Sequence, residues 1–195
     1  MKNKIIYLPA LSLTLVTALS GVMLAASRVS AESADATVSV VDSCTFGSSG
    51  YSWTFSAVAG GTYDTISVAD SAKEVSVSCN DPDGFYVKAA GNPSTVLAGT
   101  TAGHDIATNT TGSSSYWAFK VSSASNDVSG GTASIASGYG SYHTVPASAT
   151  PIITYSGSAS SVVTGKFRTD YEVSISSTQV SDTYSGGVEY TIVAI

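Results

Sequence analysis

The stretch that decides the fold covers residues 74–91 and reads EVSVSCNDPDGFYVKAAG. Apolar and polar residues alternate over residues 75–79, and they alternate again over residues 85–89. Alternation with a period of two residues is typical of strands that bury one face. Residues 80–84 lie between the two runs and consist of Asn, Asp, Pro, Asp and Gly, which all favour turns. The pattern therefore predicts two antiparallel strands joined by a tight turn, that is, a hairpin.

The chain contains two cysteines, Cys44 and Cys79. Cys79 ends the first of these strands on its apolar face, so we expect its partner to lie across the core. Two cysteines in an exported chain normally pair, because oxidising compartments preserve the bond. A metal site would need more ligands, and neither His104 nor His143 has a spacing that joins it to the cysteines. We predict a structural disulfide, and we predict neither a metal site nor a cofactor.

Residues 1–31 have the pattern of a secretory signal peptide. Lys2 and Lys4 precede an apolar run over residues 5–26, and the Val-Ser-Ala sequence at 29–31 offers a cleavage site. An uncleaved anchor is the alternative, since the apolar run is long enough to span a bilayer. The cleavage site favours removal, which predicts a single domain over residues 32–195 that is secreted or displayed at the cell surface.

Removal of the signal peptide makes the protein more acidic. Three of the eight basic residues and none of the 14 acidic residues lie in it, which leaves five against 14 and a formal net charge of −9. Nucleic acids and anionic membrane surfaces both attract basic patches. We therefore expect no nucleic acid as a partner, and no membrane contact beyond that of the signal peptide.

Other short runs of alternating residues follow along the chain. We expect strands near residues 36–41, 51–58, 66–68, 117–121, 152–155, 169–175 and 186–192, and short ones near 96–97 or 106. Residues 122–149 have the weakest pattern, and the predicted mature chain shows no helical spacing of apolar residues over three turns. The sequence predicts an all-β fold, an antiparallel two-layer β-sandwich of Ig-like or pilin-like type with one disulfide.

Several of these segments resemble a largely uncharacterised family of small secreted surface proteins from candidate-phyla-radiation bacteria of the Saccharibacteria type. The resembling segments are Cys44, VSVSCND at 75–81, IAT at 106–108, SYWAFKV at 115–121 and DTYSG at 182–186. None of them is a catalytic motif. The resemblance implies an exported β-sandwich at the cell surface. A fainter similarity to pilin-like sandwiches rests on the positions of the two cysteines and on a C-terminal strand that contains tyrosine.

Tyr139, Tyr142 and His143 are the candidate binding residues. They lie in a stretch rich in Gly and Ser, and loops held by a rigid scaffold often carry binding residues. Tyrosine offers a large contact area that suits sugars and protein surfaces. The alternative is that the loop folds back and packs these rings over an open end of the core.

Catalytic patterns are weak in this sequence. Its serines form no G-x-S-x-G elbow, and the neighbours His104 and Asp105 have no partnered nucleophile. Residues 81–84 resemble part of a calcium loop, but no glutamate follows at the required distance and a turn explains them fully. We therefore predict no catalytic residues and no enzymatic activity.

The predicted strands near the two ends of the mature chain offer another kind of contact. Residues 38–40 or 188–193 could pair with a neighbour's edge by strand addition, and ordinary pairing within one molecule is the alternative. We predict a secreted or cell-surface structural or interaction protein, such as a surface-layer or filament subunit. The alternative function is an adhesin-like module that contacts a host-surface protein or glycan through its loop tips.

Overall fold

Strands account for all the regular secondary structure that is described in this chain. The computed structural model describes residues 41–47, 55, 62–66 (backbone only), 74–111, 114–157 and 162–195. These residues belong to one unit, Val40–Ile195. They include no helix, and so they contain no helical segment that could cross a membrane.

The described residues form strands β1 (Cys44–Phe46), β2 (Thr62–Ile66), β3 (Val75–Cys79), β4 (Gly84–Asn92), β5 (Leu97–Gly99), β6 (Asp105–Thr108), β7 (Tyr116–Asn126), β8 (Thr132–Ile135), β9 (Thr150–Ser156), β10 (Val163–Ile175), β11 (Tyr184–Ser185) and β12 (Gly187–Ala194). The all-β prediction is therefore confirmed for this part of the chain.

The larger sheet is built around β10, its longest strand. The strand order is β1-β3-β10-β7-β6-β5-β11. On one side β10 pairs with β7, and on the other side it pairs first with β3 and then, further along, with β2. All these pairs are antiparallel except β6 with β7, which are parallel.

The smaller sheet has the order β12-β4-β9-β8 and is antiparallel throughout. Alternate residues of its central strands join alternate residues of the larger sheet in one hydrophobic cluster. The largest fully buried side chains of this cluster come from both sheets, and they are Phe85, Trp117, Phe119, Tyr155, Phe167 and Tyr171. The apolar positions of the alternating pattern therefore indicate which face of each strand packs in the core.

Two tyrosines link the sheets by hydrogen bonds. Tyr155 of β9 donates from its hydroxyl to the backbone oxygen of Lys166 in β10 at 2.8 Å. The hydroxyl of Tyr190 in β12 lies 2.8 Å from that of Tyr171 in β10. Both contacts satisfy a polar group at the inner face of the sheets, where an unsatisfied one would be costly.

The predicted hairpin over residues 75–89 is wrong, although both of its strands exist. β3 pairs with β1 and β10 in the larger sheet, whereas β4 pairs with β12 and β9 in the smaller one. The turn between them, in which Gly84 has a φ of 112°, therefore carries the chain from one sheet to the other. Alternation shows that one face of each strand is buried, but it does not specify the neighbouring strand.

The predicted disulfide between Cys44 and Cys79 is present, but its predicted position across the core is wrong. The two cysteines lie directly opposite each other in the neighbouring strands β1 and β3. The bond therefore fastens the edge strand β1 to its own sheet.

The strands predicted at residues 117–121, 152–155, 169–175 and 186–192 are confirmed as parts of β7, β9, β10 and, from residue 187 onward, β12. Val41 and Phe55, which belong to two other predicted strands, lie in no strand. Both short strands predicted near residues 96–97 and 106 are present as β5 and β6. β1, β8 and β11 were not predicted, and β2 shares only Ile66 with the strand predicted at residues 66–68. Four predicted segments lie wholly or mostly outside the described residues, namely the signal peptide, the strand at 36–41 except Val41, the strand at 51–58 except Phe55, and residues 67–68 of the strand at 66–68.

Candidate functional site

The predicted binding loop, residues 138–143, lies along the edge of β7. Two backbone hydrogen bonds join Phe119 and His143, at 3.1 and 2.8 Å, and the N–H of Val121 donates to the backbone oxygen of Tyr139 at 2.7 Å. Gly138 has a φ of 92°, which favours glycine and allows the turn that reverses the chain here. The loop is therefore held to a central strand by its backbone.

The ring of Tyr139 points into the core. It is 6 % exposed and lies between Phe119, at 5.7 Å between ring centroids, and His143, at 4.4 Å. Burial raises the pKa of its hydroxyl above the ordinary value. The sequence offered two roles for Tyr139, binding a partner or packing over the core. The structure places its ring in the packed position.

Tyr142 and His143 are half-buried and lie nearer to the surface. The ammonium group of Lys120 lies 4.7 Å from the centre of the Tyr142 ring, a cation–π geometry. The same ammonium group lies 3.5 Å from Oδ2 of Asp170, which is directly opposite Lys120 in β10. Binding by this loop stays a prediction, and it would have to use Tyr142 and His143.

A polar cluster around Asp182 was not predicted from the sequence. Its carboxylate accepts hydrogen bonds from the Thr100 hydroxyl and from the backbone N–H groups of Thr101 and Thr183, and it lies 3.0 Å from Nδ1 of His104. These hydrogen bonds lower the pKa of the Asp182 carboxyl, and the bond from the Thr100 hydroxyl has the largest effect. The cluster joins the β5–β6 turn to the segment before β11.

The predicted turn at residues 81–84 is held together internally. Oδ1 of Asp81 accepts a hydrogen bond from the backbone N–H of Asp83 at 2.9 Å, and the N–H of Gly84 donates to the backbone oxygen of Asp81. Within the ranges that the structure describes, no three His, Cys, Asp or Glu side chains gather closely enough to hold a metal ion.

Exposed aliphatic side chains gather near this same turn. Val41 is 77 % exposed, and its backbone oxygen accepts a hydrogen bond from the side chain of Asn80. Val162 is 53 % exposed, and it precedes Val163, which pairs with Cys79. Val193 is 41 % and Ile195 is 49 % exposed, and the N–H of Ile195 donates to the backbone oxygen of Gly84. We call these four residues the apolar end, because all of them belong to the end of the strands at which the chain passes from β3 to β4.

Strand β12 is the second feature that the sequence singled out, through residues 188–193. It pairs with β4 over its whole length and lies at the edge of its sheet among the described strands. Its inward row includes Val188, Ile192 and Ala194, and each of these side chains is only half-buried. By contrast, Phe85, Val87 and Ala89 in the inward row of β4 are completely buried.

Comparisons of the chain with models of protein families, with curated proteins and with solved structures found no match.

Proposed function

We propose that this protein is an exported β-sandwich of Ig-like or pilin-like type that acts at the cell surface as a structural or interaction protein without enzymatic activity. Its role would be that of a subunit in a surface layer or filament. The proposal includes the kinship with the secreted surface proteins of Saccharibacteria-type bacteria. The disulfide supports export, because such bonds persist in oxidising compartments.

The apolar end is the observation that carries this proposal. Isolated exposed aliphatic residues are ordinary, but a group of them around one turn is typical of a surface that contacts another protein. Four of the six large hydrophobic residues that are exposed in the described chain belong to this group. Contact between molecules would remove these side chains from water, and about 25 cal/mol is gained for each Å² of apolar surface buried.

The test is the mass of the exported protein in solution, measured by light scattering after size-exclusion chromatography over a range of concentrations. We expect particles larger than a monomer, and ordered assemblies in negative-stain electron microscopy at high concentration. Replacing Val41 and Val162 together by Ser should shift the protein towards the monomer, because both side chains lie in the apolar end.

Val180→Ser is the matched control. Val180 is 50 % exposed but follows β10, whose end lies far from the β3–β4 turn. This variant should assemble as the unmodified protein does. A protein that stays monomeric at every concentration contradicts the proposal, and binding to a host-surface protein or glycan through Tyr142 and His143 would then be the function to test.

A further inference from the structure

We infer that β12 is a two-fold interface, at which the β12 strands of two copies of this chain pair antiparallel with Thr191 opposite Thr191. This inference deepens the proposed function and rests on it, since it names the partner as a second copy and gives the register of the contact. A pair of this kind would join two four-stranded sheets into one continuous sheet.

The direction of the backbone groups in β12 follows from its pairing with β4. Ile195 lies opposite Gly84 in register and donates its N–H to the oxygen of Gly84. In an antiparallel ladder, hydrogen-bonded and non-hydrogen-bonded pairs alternate. The backbone groups of Val193 and Thr191 therefore point towards β4, and those of Ile192 and Ala194 point away from it.

A second hydrogen bond agrees with this assignment. Gly91 lies opposite Val188, and its N–H donates to the backbone oxygen of Pro146 at 2.9 Å, on the side of β4 that faces away from β12. The pair of Gly91 with Val188 is therefore a non-hydrogen-bonded one, and the backbone groups of Val188 also point outward from the sheet.

Apart from the charge of Glu189, the edge of β12 lacks the features by which proteins usually prevent strand addition. Edge strands are commonly short, or carry Lys, Pro or a bulge. β12 has eight residues, no Lys or Pro and an uninterrupted register with β4. The other edge strands of the described chain are shorter, with three residues in β1, five in β2, four in β8 and two in β11.

The half-buried inward row of β12 provides a hydrophobic reason for pairing. Val188, Ile192 and Ala194 face the core but keep part of their surface exposed, since no described strand lies beyond them. A strand added at this edge would cover that surface. The edge strand is also held in place from inside, because Phe167 of β10 packs edge-on against the ring of Tyr190 at 5.3 Å between centroids.

The sequence of β12 is complementary to itself when two strands are centred on Thr191. In this register residues 188–194 of one copy pair with residues 194–188 of the other, which includes all of β12 except Gly187. On the core face Val188 lies opposite Ala194, and on the outer face Glu189 lies opposite Val193. Glu189 is the only charged residue of the strand, and the two Glu189 carboxylates would lie about 14 Å apart at about 3.4 Å per residue. Centring on Glu189 would instead place them directly opposite, which is destabilising.

The test uses variants of the predicted mature chain, residues 32–195, in which cysteine replaces a chosen residue of β12. Because Cys44 and Cys79 are bonded to each other, a new cysteine would be the only free one. In the inferred pair the two Thr191 residues form a non-hydrogen-bonded pair with Cα atoms about 4.5 Å apart, which lies within the range for a disulfide. We expect Thr191→Cys to form a disulfide-linked dimer under mild oxidation, seen by non-reducing electrophoresis.

Glu189→Cys is the matched control. Thr191 and Glu189 are both exposed on the outer face of the same strand, so neither substitution disturbs the core. Glu189→Cys should stay monomeric on the gel, because its two thiols would be too far apart. The double variant Glu189→Cys with Val193→Cys should cross-link again, because these positions lie opposite each other in the inferred register.

A further variant tests the interface without a covalent bond. Thr191→Lys would place two ammonium groups opposite each other, so the contact through β12 should be lost and the mass measured by light scattering should fall, while the melting temperature of the monomer is kept.

Equal cross-linking of Thr191→Cys and Glu189→Cys would overturn the inference, and so would absence of cross-linking in Thr191→Cys. If cross-linking fails but light scattering still shows assemblies, the inferred β12 interface is wrong and the proposed function stands. If the protein is also monomeric throughout, both are wrong.

Discussion

Gly165 in β10 leaves room for the ring of Tyr155 in β9 to lie close to the backbone in the core. The ring of Tyr155 passes beside it to reach Lys166, and a Cβ atom at position 165 would lie 2.7 Å from Cδ1 of that ring and 2.7 Å from the backbone oxygen of Ser125. The ring has little freedom to move aside, because it also stacks on Phe85 with 4.7 Å between centroids.

We therefore expect Gly165→Ala to lower the free energy of unfolding by about 1–3 kcal/mol, the usual cost of overpacking a core. Chemical denaturation with urea would measure it. Gly140→Ala is the control, because a Cβ atom there meets no atom within 4 Å and the backbone has no positive φ. An equal loss in both variants would show that close packing at Gly165 is not the cause.

Asp182 should make the fold sensitive to acid. Its pKa is lowered in the folded protein from the ordinary 3.8, so the folded state favours the charged carboxylate. The unfolded chain binds the proton first as the pH falls, so the stabilisation is complete above the ordinary pKa and is lost as the pH falls from there towards the lowered one. Thermal melting as a function of pH would follow this loss.

Asp182→Asn is the variant to compare. It keeps the shape of the side chain but cannot titrate, so its melting temperature should fall less steeply than that of the unmodified protein below about pH 4, where an ordinary carboxyl group takes up its proton. Parallel curves for the two proteins would show that Asp182 does not contribute to the acid sensitivity.

Strand β1 depends on its covalent bond more than on its own pairing. It has three residues, of which two are exposed and one is half-buried, and its register places Cys44 opposite Cys79. So short a strand has few hydrogen bonds with which to stay on the edge of its sheet.

We expect Cys44→Ser to lower the free energy of unfolding by about 4 kcal/mol, the value that chain entropy gives for a loop of this size. The cysteines are 35 residues apart. Urea unfolding of the variant, beside the reduced unmodified protein, would measure the loss. The two should be nearly equal, and a variant as stable as the oxidised protein would contradict the expected role of the bond.

The sequence predicts which segments form strands better than it predicts which strands pair with one another. Alternating residues identify β3, β4, β7, β9 and β10, because burial of one face leaves a local signal. The assignment of β3 and β4 to different sheets depends on partners far away along the chain, and the sequence carries no local signal for them. β8 was missed for a different reason, since Thr132–Ile135 lies in a stretch of small residues and is only partly buried.

The candidate site shows the same limit. The aromatic residues of the loop were visible in the sequence, but the burial of Tyr139 follows from backbone bonds to β7, about 20 residues earlier in the chain. The pairing of His104 with Asp182 spans 78 positions. A list of polar residues cannot reveal such a pair without the fold. Residues 188–193 were singled out from the sequence for strand addition, but the position of β12 at a sheet edge and its outward backbone groups follow only from the observed register.

The larger sheet is organised around a strand that is synthesised after the strands with which it pairs. β10 lies at residues 163–175 and holds β2, β3 and β7, whose residues are all made before it. While the ribosome is still adding the chain, these earlier strands have no central strand on which to assemble. The larger sheet can therefore close only after residue 175 has been made. If the protein is exported as we propose, strands that wait for β10 would leave the chain open for threading through a narrow export channel, and the chain would fold on the far side, where its disulfide can form.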